Sequence, residues 1–168
     1  VANSMPPDHG RMIVIGAGNP ERGDDAAGRA VVRLLRGTLP DEVALVELDG
    51  EATALLAHFE DVETAFIVDA CASGLRVGSL QRFDVSAEPL PQATFSLSTH
   101  GFGLAEGIEL ARALDQLPER CIVYAIEGNA FEAGAPLSPQ VAAAVTVTAT
   151  RLRAEITGSE ERRESSHA

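Results

Sequence analysis

Apolar residues along the chain alternate between short β-branched runs and longer segments at helical spacing, and most runs end in glycine or an acid. Residues 12–17 (MIVIGA) read as a buried strand, and residues 43–48, 64–68 and 121–126 repeat the pattern, the third ending at Asp69. Residues 79–83 are mixed in character and predict an edge strand. Residues 25–36 place Ala26, Ala30, Val31, Leu34 and Leu35 at helical spacing. Asp24 or Asp25 stands at the N-cap position of that helix and Gly37 at its stop. Residues 51–59 predict a short helix. Residues 103–117 predict a longer one with Leu104, Ile108, Ala111 and Leu114 on one face, halted by Pro118. Ser138 and Pro139 form a cap and first-turn proline for a last helix, with a stripe of Val141, Val145, Ala149, Leu152 and Ile156. This alternation predicts an α/β fold, a three-layer αβα sandwich around a mostly parallel twisted sheet of about five strands. A single domain over residues 11–157 is expected, with flexible tails at 1–10 and 158–168.

Composition narrows the partners. The 168 residues carry 13 Lys and Arg against 25 Asp and Glu, a formal charge of −12. That balance repels a phosphate backbone, so neither nucleic acid nor a membrane is an expected partner. No run approaches the ~18 apolar residues of a membrane span. The two cysteines, Cys71 and Cys121, sit in separate apolar runs and make neither a disulfide framework nor a cysteine zinc site. They point to a reducing compartment, and a cytoplasmic location is expected.

Open α/β sheets bind their ligands outside the carboxyl ends of the strands, and the unusual polar residues of this chain fall there. The loop after the first strand reads G-x-G-x-x-x-x-G from Gly16 and Gly18, not the dinucleotide G-x-G-x-x-G, and no Gly-Lys-Ser/Thr follows. Asp24 and Asp25 would also repel a phosphate at the incoming helix. The glycines then serve a tight turn, and the two acids have an alternative role in capping helix amides. Asp69 follows Phe66-Ile67-Val68, where an unpaired buried charge would cost several kcal/mol, unless loop amides satisfy it. His9, His58 and His167 fall in a tail, a helix and the other tail, which leaves His100 as the histidine at the rim. An acid of the Asp24–Asp25 pair, Asp69 and His100 come from three loops and make an open three-ligand metal site. Oxygen and nitrogen donors with vacant positions suit a divalent ion such as Ni²⁺ or Zn²⁺. The vacancies would take water or a substrate group, as metal-assisted hydrolysis requires.

Five blocks carry a further likeness: residues 15–28 (IGAGNPERGDDAAG), 46–50 (VELDG), 67–70 (IVDA), 98–106 (STHGFGLAE) and 126–139 (IEGNAFEAGAPLSP). In residues and order they resemble the maturation endopeptidases of nickel–iron hydrogenases. The resemblance implies an αβα sandwich with catalytic and metal-binding roles on Asp25, Asp69 and His100, and a supporting loop set of Gly16, Gly18, Asn19, Asp24, Asp49, Gly50 and Gly101. It implies removal of a C-terminal extension from the hydrogenase large-subunit precursor after nickel insertion. The nickel would be borne by the substrate, so the isolated protein is expected to hold none, or another divalent ion in its place. A monomer is expected. Two departures, Asn19-Pro20-Glu21-Arg22 and Asp49-Gly50-Glu51, bear on loop shape and partner choice. A non-catalytic nickel-sensing holder of the same subunit would use the same residues. Gly-Ala-Gly-Asn-Pro also resembles peptidyl-tRNA hydrolases, but residues 21–37 hold no histidine and the chain is acidic.

Overall fold

Continuous β-branched runs can be buried on both faces only in a sheet covered on both sides, and that is how this chain folds. The computed structural model describes residues 11–49, 51–91 and 103–165. In chain order they form β1 (Met12–Ala17), a 3-10 turn (Gly23–Ala26), α1 (Ala27–Leu35), β2 (Val43–Leu48) and α2 (Ala52–Ala57). There follow β3 (Thr64–Cys71), β4 (Leu80–Asp84), α3 (Leu104–Ala113), β5 (Arg120–Glu127) and α4 (Pro139–Ser165). The strands lie in the order β2-β1-β3-β5-β4, all parallel except β4, which pairs antiparallel at the edge. Among the described residues no helix is long and apolar enough to cross a membrane.

Side chains alternate across the sheet and fill two cores. Met12, Val14, Phe66, Val68 and Ile122 pack with Val31 and Leu35 of α1 and Val141 and Leu152 of α4. Ile13, Ile15, Ile67 and Val123 pack on the other face with Leu55 of α2 and Ile108 of α3. The result is the expected three-layer sandwich. Cys71 and Cys121 are buried free thiols of the second core.

Close approach of α1 to the sheet depends on two glycines. A Cβ on Gly16 would stand 2.3 Å from the Gly28 carbonyl oxygen, and one on Gly28 would stand 2.1 Å from that of Val68. This contact brings the start of α1 down onto β1 and β3, beside the carboxyl ends of both.

Several boundaries differ from expectation for identifiable reasons. The helix expected from residue 25 begins at Ala27, behind a 3-10 turn, and no side chain caps it. Asp24 and Asp25 are therefore not N-caps; their carboxylates are engaged elsewhere. Ser138 does precede Pro139 at the head of α4, its carbonyl accepting from the Ala142 amide, and its hydroxyl donates to Asp24. β3 does not stop before Asp69 but continues to Cys71, because β5 keeps pairing with it through Cys71↔Glu127. α2 ends at Ala57, and α3 ends at Ala113, well before Pro118. There Asp115 takes a left-handed conformation (φ 57°) and the Gln116 amide bonds the Ala111 carbonyl, which turns Leu114 outward at 53 % exposure. α4 runs on past Ile156 to Ser165.

Gly28→Ala forces overpacking against backbone and should destabilise the fold by about 3 kcal/mol. Gly158→Ala, with open space at its Cβ position, should stabilise by roughly 0.5–1 kcal/mol through helix propensity. Urea denaturation of the two variants checks the opposite signs.

Candidate active site

Strand order reverses around β1, since β2 lies on one side of it and β3 on the other. A crevice opens at such a switch point, outside the carboxyl ends of the two diverging strands. β1 pairs with β3 only as far as Gly16↔Val68. Asp69 is the next residue, still held by β5 opposite Ala125, and it is half-buried at the mouth of the crevice.

Asp25 reaches the same place from the loop after β1. Gly18, at φ 127°, lets that loop fold over the 3-10 turn; a Cβ there would stand 1.9 Å from the Asp25 carbonyl oxygen. The Asn19 amide donates to Asp25 Oδ2 at 2.9 Å, and the Asn19 Oδ1 accepts from the Glu21 amide at 2.9 Å. One carboxylate oxygen of Asp25 is thus anchored by the loop.

The two acids feel each other. Burial, and then the negative charge of Asp25, push the Asp69 carboxyl up to about 7. A 2.8 Å bond from the Ala70 amide to Asp69 Oδ1 works in the opposite direction without cancelling them. Among the described residues neither acid forms an ion pair. The loop and β3 therefore bring two like-charged carboxylates to one crevice, an arrangement that a bound cation would relieve.

Neighbouring Asp24 does different work. It is fully buried and accepts four bonds, from the amides of Asn129, Ala130 and Ser138 at 3.0, 3.0 and 2.7 Å and from the Ser138 hydroxyl at 2.7 Å. Burial works to raise its pKa, but these donors outweigh it and hold the carboxyl below the usual range. Asp24 thereby straps the β5–α4 loop onto the first loop. Asp49 is brought to the periphery only: its side chain is 84 % exposed and meets Arg29 Nη1 at 3.0 Å, while the same arginine reaches the Gly18 carbonyl at 3.3 Å and Glu47 at 3.1 Å. His100, Gly50 and Gly101 lie outside the described residues.

Glu127, the last residue of β5, has no role assigned from the sequence. It is 3 % exposed and accepts from the Cys71 thiol, the Ser73 amide and hydroxyl, and the Gly74 amide at 3.2, 2.8, 2.7 and 2.9 Å. An acid closing an otherwise apolar strand was the available signal.

The description of the hydrogenase maturation protease family, HycI, matches residues 29–155. The chain belongs to the hydrogenase maturation protease family. The matched span takes in Asp69 and position 100 and begins just after Asp25. The protease is 28 % identical over 134 residues, 78 % of this chain and 70 % of the other, to the hydrogenase expression/formation protein HupD of Bradyrhizobium diazoefficiens. It is 30 % identical over 97 residues to a putative hydrogenase maturation protease of Methanocaldococcus jannaschii, covering 56 % of this chain and 62 % of that one. Its fold is that of the hydrogenase maturating endopeptidase HybD from E. coli, with a TM-score of 0.75 at 24 % identity over 89 % of this chain and 93 % of that one. HybD from Thermococcus kodakarensis superposes with a TM-score of 0.69, also at 24 % identity, over 87 % and 98 % of the two chains.

Asp69 makes metal-free stability depend on pH. Its carboxyl moves from an unfolded value of ~3.9 up to about 7 on folding, so between these values the folded chain binds the extra proton. The stabilisation is fully present below the unfolded value and is lost as pH rises through the folded one. Urea unfolding with a chelator present should show Asp69→Asn gaining on the wild type as pH rises from about 5 to about 8. A pH-independent difference would contradict the placement of Asp69.

Proposed function

We propose that the protease removes the C-terminal extension of a nickel–iron hydrogenase large-subunit precursor, in the cytoplasm and as a monomer, once nickel is in place. Asp25, Asp69 and His100 hold the nickel that the precursor presents. The observation that carries this reading is the repulsion between Asp25 and Asp69. A carboxyl whose proton affinity is raised by burial and by a neighbouring negative charge is equally suited to take a divalent cation in place of the proton. Two oxygens and an imidazole leave coordination positions for the ligands of the substrate, and this donor set suits Ni²⁺.

Among the described residues, the two thiols and the Ser73 hydroxyl are unsuited to attack, which favours water as the nucleophile. Burial and the Glu127 carboxylate push the Cys71 thiol far up, and burial raises Cys121 to about 12, so neither supplies a thiolate. The Ser73 hydroxyl is spent on Glu127. Hydrolysis then adds the hydroxyl of water to the scissile carbonyl carbon, and the amine leaves with a proton as the C–N bond breaks. The crevice contributes by seating the metal-loaded segment in one orientation, so that metal loading becomes the condition for cutting.

Incubation of the protease with nickel-loaded precursor should lower the precursor's mass by that of a short C-terminal peptide, whereas the nickel-free precursor stays intact. Asp69→Asn should reduce kcat/KM by roughly 10³-fold or more while the variant remains folded. A precursor that is bound but keeps its full mass would make the chain a holder and overturn the reading.

A further inference from the structure

The loop that joins β3 to β4 lies at the same end of the sheet as the two acids, and its fastening differs from that of an ordinary surface loop. A buried carboxylate is costly unless its lone pairs are met, and Glu127 meets all of its demands from one short segment, residues 71–74. The next stretch is tied as well: the Gly78 amide donates to the Glu127 carbonyl at 2.8 Å, and the Glu127 amide to that of Ser79 at 2.9 Å. Between these ties the chain presents Leu75 at 46 % exposure and Arg76, also exposed. Arg76 forms no ion pair among the described residues. A loop fixed from beneath by a buried acid therefore holds an apolar side chain and a free cation in water, a few residues from Asp69.

We infer that Leu75 and Arg76 are specificity-determining residues that dock the hydrogenase precursor beside the crevice, and that Glu127 is the positioning residue that keeps them there. The inference rests on the reading given under Proposed function. The occupant is a segment of the precursor next to its metal site that offers an apolar side chain and a carboxylate. Charge supports this choice. On a −12 chain an exposed arginine with no ion pair among the described residues is a local site of attraction for an acid. Arg76 stands on the anchored loop at the acids' end of the sheet, so it selects the acid that enters with the metal. Leu75 adds apolar contact whose cost of ordering has already been met by the Glu127 anchor.

Kinetics of precursor cleavage separate docking from chemistry. Leu75→Asp and Arg76→Glu should each raise KM by about tenfold or more with kcat nearly unchanged and with unfolding midpoints equal to the wild type. Glu127→Gln should raise KM in the same way and should speed hydrogen exchange at the Ser73 and Gly74 amides. Unchanged KM in both surface variants, or a fall in kcat alone, overturns the docking role. Unaltered exchange at Ser73 and Gly74 in Glu127→Gln overturns the positioning role without any need for substrate. Should the wild type leave the loaded precursor uncut, the proposed activity fails instead, and binding of the variants to the precursor still decides whether Leu75 and Arg76 dock it.

Discussion

Two carboxylates are held at one crevice with no positive partner among the described residues, and much of the local architecture serves that placement. Asp69 is carried to the mouth by a strand that outlasts its pairing with β1 because β5 continues to support it. Asp25 is brought over by a loop that closes only because Gly18 has no side chain, and by a helix that settles on the sheet only because Gly16 and Gly28 have none. A fold that spends three glycines and a strand extension to bring like charges together holds electrostatic energy that a cation can release. Under the proposed function, that cation is the one the substrate delivers.

Adjacent acids in this chain divide the labour by what surrounds them. Asp24 and Glu127 are buried and fully bonded, so their charges are spent on holding loops: the first fastens the β5–α4 loop, the second the β3–β4 loop. Asp25 and Asp69 are left less satisfied, which is what keeps them available. Burial with complete hydrogen bonding makes a strut, and burial beside a like charge leaves a carboxyl whose proton affinity is raised.

The buried parallel strands were the most legible part of the sequence. The expected bounds of β1 and β2 agree with those observed, because a strand covered on both faces must be apolar throughout. The start of α1 was misplaced because the partners of Asp24 lie more than a hundred residues away and no local rule reveals them. The end of α3 was misplaced because Asp115 stops the helix by adopting a left-handed conformation, ahead of the proline that looked decisive. Within the site, the convergence of Asp25 and Asp69 followed from placing both after parallel strands. The task of Glu127 did not, since it depends on register between β3 and β5.

The most direct test is a carbon NMR titration of the Asp69 carboxyl in metal-free protein, repeated in Asp25→Asn, whose amide oxygen can still accept the Asn19 bond. The wild type should show a midpoint near 7, and the variant a lower one that still lies above the ordinary range because burial remains. A wild-type midpoint near ~4, or one that does not move when Asp25 loses its charge, would contradict the pairing of the two acids.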